Sequence, residues 1–160
     1  MRWLILPILW FFSCVLVCAQ IEFKIEDDIK YADMRILVSK DVTQPNLRVE
    51  IGPSVKHPDL RVGITKDRAK ASFIIVKRDY ADVIVRAGAD VNFEDLRVLV
   101  GEDVEYPDVW IQTKTSGDVD YAIYTEKDSV NMAEMITVLL PVLNRHMKRQ
   151  NARVSALFGE

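Results

Sequence analysis

Apolar and polar residues alternate in a series of short stretches along most of the chain. In residues 93–100, FEDLRVLV, the side chains of Leu96, Val98 and Val100 share one side of an extended chain. A period of two with many β-branched residues predicts a strand with one buried face. Residues 73–76, FIIV, are apolar on both faces and predict a strand that is covered on both sides.

Eight such stretches form a repeat. They begin at Tyr31, Gln44, His57, Lys70, Tyr80, Phe93, Tyr106 and Ser116. Successive starts are 13 residues apart, except for two steps of 10, from residue 70 to 80 and from residue 106 to 116. Such a unit is too short for a strand plus a helical crossover, which takes about a dozen residues or more. We therefore expect a mainly β domain of about eight short strands, arranged as a meander, small propeller or barrel. Residues 20–25 also alternate and predict a first edge strand.

A short polar residue precedes the first buried position of every stretch. These residues are Asp33, Asn46, Asp59, Ser72, Asp82, Asp95, Asp108 and Asp118. One interpretation is a ring of acidic ligands. The favoured interpretation is turn chemistry, because short polar side chains bond to nearby backbone N–H groups where a chain enters a strand.

Five residues are candidates for a binding surface: Trp110, Arg97, Arg61, Arg48 and Arg35. Each arginine follows its Asp or Asn by two residues, so both lie on the wetter face of the strand. Arginine alternating with carboxylates can bind an anion or a sugar, although such a pattern is more often a solvated face. Trp110 replaces arginine on that face and is the best single pointer to a binding patch.

Aromatic residues start four of the stretches: Tyr31, Tyr80, Phe93 and Tyr106. They predict either an aromatic ladder that stacks on a sugar or a cover over the strand ends.

The repeated Ala-Asp-apolar motif resembles the bacterial septoil-knot family, a domain family of unknown function. The resemblance is carried by residues 32–34 (ADM), 58–62 (PDLRV), 81–83 (ADV) and 94–100 (EDLRVLV), and it covers about residues 30–126. It implies a β-rich chain threaded into a torus knot with seven crossings, a rare exception to the avoidance of threaded loops. The family offers no catalytic residues to transfer.

The first 19 residues are typical of a secretory signal peptide. A basic start is followed by the apolar residues 3–17, and Val17 and Ala19 occupy the positions that precede cleavage. We predict cleavage after Ala19, a periplasmic or extracellular location and no integral membrane span after processing. The alternative is an uncleaved anchor, because the apolar run is near the lower length limit for a span. Both cysteines of the chain lie in this segment, Cys14 and Cys18. The exported chain would then form no disulfides.

The pattern changes to a helical period after residue 127. Asp128 or Ser129 can cap this helix, and Pro141 should kink or split it near Leu140. Residues 135–143 are apolar nearly all round but too few to span a membrane, so they should pack on the β-domain or mediate a homo-oligomer. The predicted divisions are a signal peptide, 1–19, a repeat β-domain, 20–126, and a C-terminal helix and tail packed on that domain, 127–160.

Composition and motifs exclude several classes of function. The net charge is −3 and no basic patch with interleaved aromatics occurs, which argues against nucleic acid as a partner. His57 and His146 have no metal-ligand spacing, and no phosphate loop, dinucleotide fingerprint or nucleophile motif occurs. We assign no catalytic residue, metal site or cofactor. The expected function is a non-enzymatic structural or binding module with a glycan or protein partner. The alternative is a carbohydrate-active enzyme that uses paired carboxylates.

Overall fold

The computed structural model describes residues 20–26 and 28–158, which form nine strands, one 3₁₀ turn and one α-helix. The strands are β1 (Ile21–Glu26), β2 (Met34–Ser39), β3 (Leu47–Gly52), β4 (Leu60–Thr65), β5 (Phe73–Ile75), β6 (Val83–Gly88), β7 (Leu96–Gly101), β8 (Val109–Lys114) and β9 (Tyr121–Thr125). The 3₁₀ turn is Arg68–Lys70 and the helix, α1, is Met132–Phe158. The predicted signal peptide, with both cysteines, lies outside the described residues.

The described strands form a closed and entirely parallel barrel. Their order around it is β1-β6-β2-β7-β3-β8-β4-β9-β5, with β5 paired to β1. The chain therefore circles the barrel twice: β1 to β5 take alternate places, and β6 to β9 fill the gaps. Of the three predicted arrangements the structure selects the barrel. The prediction of β1 as an edge strand is wrong, because β1 is hydrogen-bonded on both sides by β5 and β6.

A constant stagger explains how short connections can link parallel strands. In eight of the nine neighbouring pairs the second strand begins two residues further along than the first, and the β5–β1 pair has no offset. Leu47, the first residue of β3, is therefore level with Val38, near the end of β2, through their shared partner Val98. The chain does not have to return to the other end of the barrel before it starts the next strand. This is why a helical crossover is unnecessary here.

The same stagger makes the barrel wide. Eight steps of two residues give a total shear of sixteen, and nine strands about 4.8 Å apart then close at a radius of about 11 Å. A helix with its side chains is about 10–12 Å across. The barrel therefore has room for one helix along its axis.

The first half of α1 occupies this space. Ile136, Val138, Leu139 and Leu143 point in several directions around the helix, and each has 0% of its surface exposed. They belong to one core with the inward-facing residues of all nine strands. The helix begins at the carboxyl ends of the strands, where the Lys127 ammonium donates to the Ile25 carbonyl at 2.6 Å. The apolar segment thus fills the barrel from inside instead of covering its outer surface.

The N-cap of α1 differs from the predicted one. Asn131 is the cap: its side-chain oxygen accepts from the Glu134 N–H at 2.8 Å, and the Glu134 carboxylate accepts from the Asn131 N–H at 2.9 Å. This reciprocal capping box supersedes the assignment to Asp128 or Ser129. The helix also continues through Pro141 as one element, so of the two predicted effects of Pro141 the split near Leu140 is wrong and the kink stays a prediction.

One strand is buried on both faces, as its sequence predicts. Phe73 and Ile75 of β5 point into the barrel core, and Ile74 points outward into a second small cluster with Ala71 and Val76. Tyr124 of the neighbouring strand packs against this cluster. The outer wall is therefore sealed at β5, where the two circuits of the chain meet.

Candidate functional site

The polar residue before each of eight strands hydrogen-bonds the neighbouring strand in the described barrel. Its side-chain oxygen accepts from the backbone N–H of the second residue of that neighbour, at 2.6–3.3 Å. The pairs, in barrel order, are Asp82 with Glu22, Asp33 with Ile84, Asp95 with Arg35, Asn46 with Arg97, Asp108 with Arg48, Asp59 with Trp110, Asp120 with Arg61, and Ser72 with Ala122. In seven of them the backbone N–H of the polar residue also donates to the carbonyl of the same partner, at 2.7–2.9 Å. We call this set the clamp ring.

The clamp ring corrects the interpretation of these residues as local turn formers. Each bond joins residues 50 to 60 positions apart, from different circuits of the chain. The two-residue stagger is the cause, because it places the residue before one strand opposite the second residue of the next. The side-chain oxygens accept hydrogen bonds from backbone N–H groups. Among the described residues no group of three or more His, Cys, Asp or Glu side chains is close enough to hold a metal ion.

The last member of the ring is Asp120, not Asp118. Strand β9 begins at Tyr121, so Asp120 is the residue before it and accepts from the Arg61 N–H at 2.6 Å. Asp118 lies in the exposed turn beside Gly117, whose φ of 90° is in the left-handed region. The sequence prediction therefore starts the eighth strand two residues too early. Asp118 and Asp120 each precede an alternating run, and the sequence alone does not distinguish them.

The β5–β1 junction lacks the stagger and is joined differently. The Gln20 side-chain amide donates to the carbonyls of Arg68, Ala69 and Ala71 at 2.9–3.4 Å. Ion pairs add to this seam, the contact between β5 and β1. Glu22 pairs with Arg68 and with Arg78, and its hydrogen bond raises the pKa of Arg78 above the usual value. The seam therefore keeps its backbone hydrogen bonds, and these side-chain contacts take the place of the missing clamp-ring bond.

The five candidate residues from the sequence lie on five consecutive strands. In barrel order they are Arg35 on β2, Arg97 on β7, Arg48 on β3, Trp110 on β8 and Arg61 on β4. Each is the second residue of its strand, and all lie on the outer face. The stagger sets them on a diagonal with about 8 Å between successive Cα atoms, from the strand spacing and the rise per residue. We call this line the arginine row.

The arginine row has few partners of its own. Arg97 donates through Nε to Glu94 Oε1 at 2.6 Å. The pKa of Glu94 is held below its usual value, first by a hydrogen bond from the Glu94 backbone N–H and second by this bond from Arg97. Within the described part of the chain, the guanidinium groups of Arg35, Arg48 and Arg61 form no ion pair within 4.0 Å. Trp110 is 37% exposed. Three cations and one indole are thus available along this arc on the outside of the barrel.

The four aromatic residues lie at the rim from which the strands start. Tyr31, Tyr80, Phe93 and Tyr106 are each three residues before a strand, and 78–91% of each side chain is exposed. Such exposure rules out the interpretation that they cover the strand ends. Phe93 and Tyr106 have φ values of 55° and 52°, in the left-handed region that non-glycine residues rarely adopt.

The rim aromatics lie next to the arginine row. Tyr80, Tyr31 and Phe93 precede the consecutive strands β6, β2 and β7, although they are far apart in sequence. Since every strand runs in the same direction, these side chains gather at one end of the barrel. The sequence identified each residue, but only the strand order brings them together.

No protein-family model, curated protein or solved structure matches this chain. No helix in the described part of the chain is long and apolar enough to cross a membrane. The assignment of a site therefore rests on the geometry of the barrel itself.

We expect Asp120→Ala to destabilise the protein and Asp118→Ala to leave its stability unchanged. The first substitution removes the acceptor of an exposed hydrogen bond from the Arg61 N–H, which should lower the free energy of unfolding by roughly 0.5–1.5 kcal/mol. The second removes a carboxylate of the same charge two residues away, outside the ring. Urea unfolding of both variants gives the comparison. Equal effects would show that the clamp ring is not a source of stability.

Phe93→Asn should stabilise the fold. The left-handed conformation costs an ordinary residue about 1–2 kcal/mol, and asparagine adopts it more readily. Because the Phe93 ring is 91% exposed, its removal forfeits little packing. The free energy of unfolding should rise, with Tyr31→Asn as the matched control at an exposed aromatic that is not among the positive-φ residues. A clear loss of stability for Phe93→Asn would mean that the ring has a structural contact.

Proposed function

We propose that this protein is a non-catalytic binding module that holds an extended acidic polysaccharide along the arginine row. The observation that carries the proposal is the alignment of Arg35, Arg97, Arg48, Trp110 and Arg61 on five consecutive strands, along an arc that follows nearly half of the outside of the closed barrel. Four steps of about 8 Å make the row roughly 30 Å long, which suits a polymer better than a single small anion.

The chemistry of the row fits acidic sugars. A guanidinium binds a carboxylate through two parallel hydrogen bonds, and an exposed indole offers a flat apolar face to a sugar ring. Arg35, Arg48 and Arg61 need not give up an ion pair to bind, whereas Arg97 would have to share its pairing with Glu94. The strongest contacts should therefore come from the Arg48, Trp110 and Arg61 end.

The rim aromatics extend this surface. Phe93 and Tyr106 lie four residues before Arg97 and Trp110, at the same end of the barrel. The exposure of all four rings supports a functional role. The positive φ of Phe93 and Tyr106 does not add to this argument, because Gln44 begins another stretch and has a φ of 54°. Stacking on sugar rings is the role we propose.

Export would bring such a module to where polysaccharides occur. We propose that residues 1–19 are a signal peptide cleaved before Gln20, on the basis of the basic start, the apolar run and the small residue at Ala19. Intact mass of the exported protein tests this directly. A mass that retains residues 1–19 would favour the uncleaved anchor.

We also propose that the barrel is built from the 13-residue repeat and is threaded as in the septoil-knot family. The motif spacing and the two interleaved circuits support this proposal. A knot shortens a fully stretched chain, because the residues in the tightened knot do not extend. Single-molecule pulling from residues 20 and 148 should give a final length below the roughly 3.3–3.6 Å per residue of an unknotted chain. A full-length extension would contradict the threading.

The binding proposal predicts that Arg48→Gln with Arg61→Gln weakens binding to polygalacturonate about tenfold or more. Charge-assisted hydrogen bonds of this kind contribute roughly 1.5–3 kcal/mol each, and exposure to solvent reduces that value. Isothermal titration at two salt concentrations measures the affinity. Lys70→Gln with Lys77→Gln is the control, because it removes the same charge from exposed positions beside β5.

Methyl-esterified polygalacturonate is the matched neutral ligand and should bind weakly or not at all. Trp110→Ala should weaken binding of the acidic polymer without changing the salt dependence. If the arginine variant and the lysine control lose the same affinity, the loss comes from the change in net charge and not from the arginine row. Release of new reducing ends would show that the protein is an enzyme and not a passive module.

A further inference from the structure

A cavity of about 540 Å³ lies between residues 137–147 of α1 and the inner faces of β1, β6, β2, β7 and β3. Most of its lining is apolar, and the first residues of these strands, among them Met34 and Leu96, surround its outer end. Protein cavities of about 300–1,000 Å³ with apolar walls and few polar groups are the usual sites of small ligands. This cavity is separate from the arginine row, which lies on the outside of the same strands.

The polar groups of the cavity are few and are unevenly distributed. Asn46, Asp95 and Asn144 line it at the rim end. Deeper in, Thr137 and Pro141 lie on its helical side. Pro141 has no N–H, so the Thr137 carbonyl lacks its usual helical partner four residues on. A long apolar space with most of its hydrogen-bonding groups at one end matches an amphiphile.

The rim groups also indicate the type of head group. Asp95 already accepts the Arg35 N–H, and its charge disfavours a second carboxylate beside it. The Asn46 oxygen accepts the Arg97 N–H, which leaves its amide hydrogens to donate. Donors and acceptors at this mouth suit hydroxyl groups. A neutral head fits these groups better than an anionic one.

We propose that the cavity binds the aliphatic chain of a neutral, single-chain lipid, with hydroxyl groups of the head at Asn46, Asp95 and Asn144. The mouth lies at the rim where β1 begins, and Met34 there is 38% exposed, so a chain can enter without unfolding of the barrel. The proposal does not depend on polysaccharide binding. Asp95 and Asn46 belong to the clamp ring and not to the arginine row, so the cavity and the row share no residue.

The test uses 1-monoacylglycerols with chains of 8 to 14 carbons and the protein recovered after export, its N-terminus fixed by intact mass. Affinity, measured by native mass spectrometry and titration below the critical micelle concentration, should rise about fourfold per methylene, as expected for a buried chain. The rise should stop when the cavity is full. Laurate should bind more weakly than the monoacylglycerol of the same chain length.

Met34→Lys places a charge at the mouth and should abolish binding. Ile64→Lys is the matched control, because Ile64 is an exposed apolar residue, 50% accessible, near the other end of the barrel. Leu96→Trp fills the cavity and should shift the longest accepted chain downward, with circular dichroism showing that both variants fold. Unchanged binding in Met34→Lys and Leu96→Trp would overturn the proposal. An affinity that keeps rising with chain length would also overturn it. The same holds if the terminal residues of the protein are found to fill the cavity.

Discussion

The two-residue stagger between neighbouring strands is the constraint on which the rest of this structure depends. It tilts the strands so strongly that each one begins level with the end of the strand before it, two places round the barrel. A connection of seven residues, such as 40–46, is then long enough to join parallel strands. The stagger also widens the barrel to about 11 Å in radius and so requires a helix to fill it. With a smaller stagger, the apolar segment 135–143 would have no interior to enter.

The clamp ring follows from the same constraint. Each strand begins two residues later than its neighbour. The residue just before it therefore lies opposite the second residue of that neighbour, whose backbone N–H has no strand carbonyl to bond. An aspartate there replaces the carbonyl that the ladder lacks at that point, and its own N–H completes the pair. The ring therefore extends eight of the nine interstrand contacts by one residue and ties the two circuits of the chain together. At the seam the stagger vanishes, and the Gln20 amide and the Glu22 ion pairs take over the same task.

The local sequence pattern predicts the positions of the strands, but it does not predict which strands pair. Strand positions and inward faces followed from alternation, because burial on one face imposes a period of two. The partner of each strand did not, since Asp95 and Arg35 are 60 residues apart and nothing in either stretch specifies the other. The candidate residues of the row were identified by type, but their alignment depends on strand order. Asn131 was missed as a cap because Asp128 and Ser129 nearby have the same chemistry. Asp120 was missed for the same reason, next to Asp118.

The arginine row has a structural explanation that competes with binding. Six aspartates of the clamp ring lie at one end of the barrel, and their mutual repulsion would oppose closure. Arginines two residues later, on the same face, reduce that repulsion, so they could persist without any ligand. The two roles separate in the Arg48→Gln, Arg61→Gln variant, because charge compensation acts on the free energy of unfolding and recognition acts on affinity. Trp110 sharpens the distinction, since an indole in the row compensates no charge. If the row serves only the ring, Trp110→Ala should affect neither quantity; if it serves a ligand, affinity should fall while stability holds.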